Sequence, residues 1–144
     1  MSTVPDAIDA ILACVKTALP GVQVWDGPPV GDEEDDRIVI GWSRNRPVVA
    51  VTRSDDTFET LTGITERYYV PGAAISYSGD PDLKPRRDRA YELAEAIADA
   101  VAVDDGINAL DATASLVTGN LTQEKVTTGV QALVDFTIEV IALL

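Results

Sequence analysis

The stretch Tyr77-Ser78-Gly79-Asp80-Pro81-Asp82-Leu83-Lys84-Pro85-Arg86-Arg87-Asp88-Arg89-Ala90 passes from strand to turn to helix, and its reading decides the fold. Tyr77 closes a run rich in β-branched and aromatic residues, and Ser78-Gly79-Asp80-Pro81 has the composition of a turn. From Lys84 to Val103, Ala90, Leu93, Ala94, Ile97 and Val101 recur on one helical face, with Glu92, Glu95 and Asp99 opposite. Asp82 suits the N-cap, Pro85 the first turn, and Gly106 a left-handed position beyond the helix end.

Upstream of the turn, Gly63 to Ser78 reads as one long bent strand or two short ones, since Pro71-Gly72 interrupts it. Downstream, residues Thr113 to Thr122 and Gly129 to Leu143 form an expected antiparallel pair. In the second of these Val130, Ala132, Val134, Phe136, Ile138, Val140 and Ala142 share one parity, with Gln131, Asp135, Thr137 and Glu139 on the other, which predicts a sheet with one buried face. Leu133, Ile141 and Leu143 are apolar on the other parity, as end packing or as a surface for another subunit.

Towards the N-terminus, Ile8, Ile11, Leu12, Val15 and Leu19 mark an amphipathic helix over Val4 to Leu19, started by Pro5 and stopped by Pro20-Gly21. A short strand over Val22 to Trp25 and a turn at Asp26-Gly27-Pro28-Pro29 follow. Arg37 to Trp42 and Val48 to Thr52 read as two strands of a hairpin, and Ser54 to Thr62 as an exposed loop. The expected fold is α+β: a mixed, mainly antiparallel sheet packed against two principal helices, in a single domain over residues 1–144.

Eleven Lys and Arg against twenty-four Asp and Glu give a net charge of −13, which disfavours stable binding to nucleic acid or anionic membranes. A duct through which DNA passes without sticking is compatible with that charge. One cysteine cannot form an intramolecular disulfide, and neither a signal-type N-terminus nor an apolar run of membrane-spanning length is visible. Synthesis in the cytoplasm is the expectation.

Chemistry-bearing patterns are scarce. The chain has no histidine, hence not the commonest general base, and one Cys without His excludes Cys/His zinc sets. Cys14, between Ile11 and Val15 on a helix face, reads as a buried structural cysteine. The run Asp32-Glu33-Glu34-Asp35-Asp36 lacks EF-hand spacing and reads as a solvated loop, and neither glycine-rich phosphate motif occurs. No catalytic residue, metal or cofactor is expected.

The unusual local feature is Lys84, Arg86, Arg87 and Arg89 at a helix N-terminus, where cations oppose the macrodipole at roughly a few tenths of a kcal/mol each. Something must compensate them. One reading pairs them within the chain, with Asp82, Asp88, Glu92 or Glu66. The other has Arg86, Arg87 and Arg89 meeting the acidic edge of a neighbouring copy or a tube, with Asp32, Glu33, Glu34, Asp35 and Asp36 forming an acidic rim or lumen loop. Opposite charges at separate sites suit head-to-tail contacts that close into a ring.

Leu19-Pro20-Gly21-Val22, Asp26-Gly27-Pro28-Pro29, Ile38-Val39-Ile40-Gly41-Trp42, Tyr77-Ser78-Gly79-Asp80, Arg87-Asp88-Arg89-Ala90 and Val134-Asp135-Phe136-Thr137-Ile138, in this order and spacing, resemble the tail terminator proteins of long-tailed, siphovirus-type actinobacterial phages. The resemblance spans nearly the whole chain, though each motif is short and mostly structural. It implies a six-membered ring at the head-proximal end of the tail tube, which stops tube growth and offers a docking face to head-completion or connector proteins. It further implies a virion component assembled in the bacterial cytoplasm, with tail tube protein and its own copies as partners and no catalysis. Another neck ring protein, a connector or a stopper, is the alternative within that class; a small cytoplasmic regulatory binding module or enzyme is the alternative outside it.

Overall fold

The computed structural model describes residues 2–28, 35–43, 52–60 and 63–143. The elements are helix α1 (Val4–Ala18), strands β1 (Gln23–Asp26), β2 (Asp36–Ile40), β3 (Thr52–Thr60) and β4 (Gly63–Ser78), helix α2 (Leu83–Ala102), the one-turn helix α3 (Asp105–Asn108), and strands β5 (Ala112–Val126) and β6 (Gly129–Leu143). The strands form a six-stranded sheet of order β1-β2-β4-β6-β5, with β3 also paired to β4. Among the described residues only β1 and β2 run parallel; the other pairs are antiparallel. The fold is α+β, as the alternation and helical periodicity predict.

Strand β4 is the spine. One of its edges pairs with β6 from Thr65 to Ser78, while the other is shared, with β3 against its first half and β2 against Gly72 to Ser76. Pro71 stands where those two partial ladders meet. Its carbonyl accepts from Gly41 N at 2.8 Å, so its missing N–H lies on the same divided edge and no bond to β6 is lost. The interruption read from Pro71-Gly72 is therefore a change of partner along one continuous strand. Gly72 is required for a different reason: a Cβ there would lie 2.4 Å from the Phe136 ring and 2.5 Å from the Val39 carbonyl. The bare backbone lets Phe136, its cross-strand neighbour, lie over the sheet.

Both long helices cover one face of the sheet. Ala7, Ile11, Leu12 and Val15 of α1 and Ala90, Leu93, Ala94, Ile97 and Val101 of α2 meet Ile38, Ile40, Tyr68, Val70, Ala74 and the even-numbered residues 132–142 of β6 in one core. Full burial of each Leu or Ile here is worth about 1.5–3 kcal/mol. The opposite face carries a smaller apolar cluster of Val39, Ala73, Ile75 and Leu133, against which Trp25 and Trp42 pack. Leu133 thus belongs to a second buried layer, and Leu143, at 48% exposure, remains open.

Several expectations change. Among the described residues, the neighbours of strand β2 are β1 and β4 rather than a strand that follows it directly. Residues 48–51 of the expected second strand lie outside the described residues, and Thr52 opens β3. Residues 54–60, read as a loop, are part of that strand, paired with β4 through backbone bonds that their polar composition did not signal. Gly106 adopts no left-handed conformation; it lies inside α3, whose N-cap Asp104 accepts from Ile107 N at 3.0 Å. Asp82 occupies the N-cap of α2 in extended conformation, without a side-chain capping bond.

Candidate assembly surface

Helix α2 starts at the end of the sheet where β4 finishes and β2 begins, and its basic head lies directly over that junction. Arg86 Nη1 donates to Ser76 Oγ at 2.9 Å and, at 3.4 Å, to the Tyr77 carbonyl. Ser76 Oγ donates in turn to Asp36 Oδ1 at 2.8 Å, while Arg89 Nε donates to Asp36 Oδ2 at 2.9 Å and Arg89 Nη1 to Glu92 Oε1 at 2.7 Å. Asp36 thus joins two arginines of α2 to the sheet, directly and through a serine. Donation to Asp36 raises the pKa of the Arg89 guanidinium above its ordinary value. An anion beneath the positive end of a helix, between arginines that oppose the same dipole, supplies the compensation that the sequence demands.

The two other cations of the helix head behave differently. Lys84 pairs with Asp88 one turn along, in an exposed contact that holds the Asp88 carboxyl below its usual range. Such pairs contribute little to stability. Arg87 turns towards β5 and donates from Nη1 to the neutral Oε1 of Gln123 at 2.8 Å. Near it the end of β5 carries the exposed Lys125, which has no ion-pair partner among the described residues, and the half-exposed Val126. Tyr77 Oη ties the β5–β6 turn down by donating to Thr128 Oγ1 at 2.7 Å. Between the turn and the loop leading into α2 lies a recess of about 290 Å³, lined by Gly79, Pro81, Lys125, Val126, Thr127 and Thr128 among others.

Of the acidic run, Asp32, Glu33 and Glu34 lie outside the described residues. Asp35 is exposed, and its carbonyl accepts from Tyr77 N at 2.8 Å; Asp36 opens β2 and is held by Arg89. The residues expected at opposite poles therefore meet in part within one chain. Glu66, a suggested partner for the arginines, is fully buried beneath the start of α1 instead, where Oε1 accepts from Thr3 N at 2.9 Å and Thr3 Oγ1 at 2.7 Å. Thr3 Oγ1 also lies 3.0 Å from Tyr68 Oη, and burial raises the Tyr68 hydroxyl's pKa.

Cys14 is buried, and burial together with the nearby Asp104 pushes its thiol up to about 11, the opposite of an activated nucleophile. Among the described residues, no group of three or more His, Cys, Asp or Glu is placed to hold a metal ion, and no helix is long and apolar enough to cross a membrane. Sequence reasoning singled out the helix head but missed Ser76, Gln123 and Lys125; the contacts of Ser76 and Gln123 join residues 10 to 40 apart in the chain.

No protein-family model matches this chain, and no curated protein matches it. Among solved structures, it is similar in fold to a chain from the virion of a native gene transfer agent particle, with a TM-score of 0.58 and 13% sequence identity. The match covers 96% of each chain, so the two share the architecture from end to end.

Proposed function

We propose that this protein is a non-enzymatic structural component of a phage-type virion, and within it a tail terminator: a ring, most simply of six copies, that caps the tail tube and ends its growth. The observation that carries this reading is the end-to-end likeness in fold to a gene transfer agent virion chain, found in a protein whose sequence motifs resemble tail terminators. The basic head of α2 and the acid-rich remainder of the surface supply the charge asymmetry that a head-to-tail ring uses. Capping works by asymmetry as well: one face of the ring binds the last tube layer and the other offers no surface to a further tube subunit. The strong negative charge favours passage of DNA without retention.

Mixing the protein with tail tubes of the matching phage, under negative-stain imaging, tests the reading. Rings seated at one tube end, with elongation arrested, are the expected result. Binding to isolated heads or portal complexes but not to tubes would transfer the protein to the connector or stopper side of the neck. Indifference to both would end the virion reading.

A further inference from the structure

We infer that the corner formed by the β5–β6 turn and the head of α2 is the half of a subunit interface that receives Asp35, at the start of β2, from a second copy. This inference rests on the ring reading above and assigns which surfaces meet.

Five of the eleven Lys and Arg, namely Lys84, Arg86, Arg87, Arg89 and Lys125, gather at this one end of a chain of net charge −13. Copies carrying that charge repel one another, so contact is favoured where a cation-rich corner faces an acidic surface. Not every cation there is available. Arg86 and Arg89 are committed to Ser76 and Asp36, and Lys84 to Asp88. Arg87, hydrogen-bonded among the described residues to a neutral amide and sharing the field of Asp88 with Lys84, and Lys125 remain for an external anion. Asp80 and Asp82 lie on the loop into α2, next in sequence to the lining residues Gly79 and Pro81, so the cation nearest an incoming carboxylate in the recess is Lys125. The recess beside exposed Val126 adds the shape and apolar surface that a bare charge pair lacks.

The complementary surface is placed by the topology. Asp35 is exposed, has no ion-pair partner among the described residues, and is bonded through its carbonyl to Tyr77, level with the end of β4. Lys125 pairs in register with Val130, which in turn pairs with Ser78, so the two charges stand at the same end of the sheet. Strands β4 and β6 separate them, about 14 Å at roughly 4.8 Å per strand spacing. A cation near one edge and an anion near the other, at one level, meet when copies are placed side by side in the same orientation. That is a heterologous contact and repeats around a ring. Strand β5 is bent by the register shift between Thr118 and Leu121, which blunts its edge for strand addition, so the contact is made by side chains rather than by a continued ladder. Asp35 accordingly belongs to the subunit boundary rather than to the wall of a lumen.

The test combines charge exchange with cross-linking of the full chain. Arg87→Glu with Lys125→Glu is expected to weaken self-association roughly tenfold or more, read by sedimentation at matched concentration, and adding Asp35→Lys in the same chain is expected to restore part of it. Mixing Asp35→Cys protein with Lys125→Cys protein is expected to yield a covalent dimer faster than either variant alone. Unchanged assembly after the reversal, or no cross-link between the mixed variants at any concentration, would overturn the inference. Reversed variants that still seat on tubes as rings would refute this interface and leave the terminator reading intact. Wild-type rings that cross-link as expected but ignore tubes would do the opposite.

Discussion

The junction of α2 with β2 and β4 and the corner at the β5–β6 turn draw on the same stock of cations and use them in opposite ways. At the junction, Arg86 and Arg89 close a network through Ser76 and Asp36, in which each charge has a partner contributed by a distant part of the chain. At the corner, Arg87 donates to an amide and Lys125 is exposed at the end of β5. Neighbouring arginines of identical chemistry are thus divided by helix geometry: successive residues point about 100° apart, so Arg86 and Arg89 face the junction of β2 and β4 while Arg87 turns towards β5. Adjacent positions in a basic cluster need not share a role.

This contrast can be broken experimentally, and a third site sets its upper bound. Glu66 is fully buried and accepts two bonds from Thr3, so Glu66→Ala leaves both a cavity and an unmet N–H at the head of α1. A loss of about 3 kcal/mol is expected from the two effects together, read as a lower urea midpoint at unchanged slope. Glu66→Gln, which keeps the volume, should recover most of it.

Asp36→Ala should come next. Asp36 and Arg89 are about a quarter to a third exposed, so water partly replaces what is lost, and about 1–2 kcal/mol is expected. If Asp36→Ala cost no more than an exposed substitution such as Asp88→Ala, the distinction between a structural junction and a free corner would collapse. The smallest effect belongs to the corner itself: Arg87→Gln with Lys125→Gln should shift monomer stability by less than about 0.5 kcal/mol. A large loss there would mean that the corner is holding the fold together, and its assignment to assembly would lose its footing.

Much of the scaffold was legible in the residues. The two long helices follow from the spacing of Ile11, Leu12 and Val15 and of Leu93, Ala94, Ile97 and Val101, all of which are buried. The alternation from Val130 to Ala142 correctly identifies the buried face of β6, because side chains on a strand alternate strictly and one face meets the helices. Strand β3 escaped the same reasoning. Its Asp- and Thr-rich sequence has no apolar alternation, and its pairing to β4 is carried by backbone groups that every residue possesses. The neighbours that β2 has among the described residues, β1 and β4, were hidden for a related reason. Adjacent strand-like segments pair by default, but both β2 and β3 found room along the single long edge of β4.

For the candidate surface the balance is different. Composition and helix electrostatics alone establish an acidic protein, without histidine, that carries an uncompensated basic helix head. Those are properties of residue identity and local spacing, and they hold whatever the chain does at long range. Which arginine turns inward was decided only when β2 came to lie beside β4, bringing Asp36 opposite Ser76 across the sheet and within reach of Arg89. Likewise Lys125 became a corner residue only when β6 paired between β4 and β5, and Asp35 came level with it only through the bond to Tyr77. Partner choice at such distances is set by strand order and register, which depend on the packing of the whole core, so no local pattern encodes it.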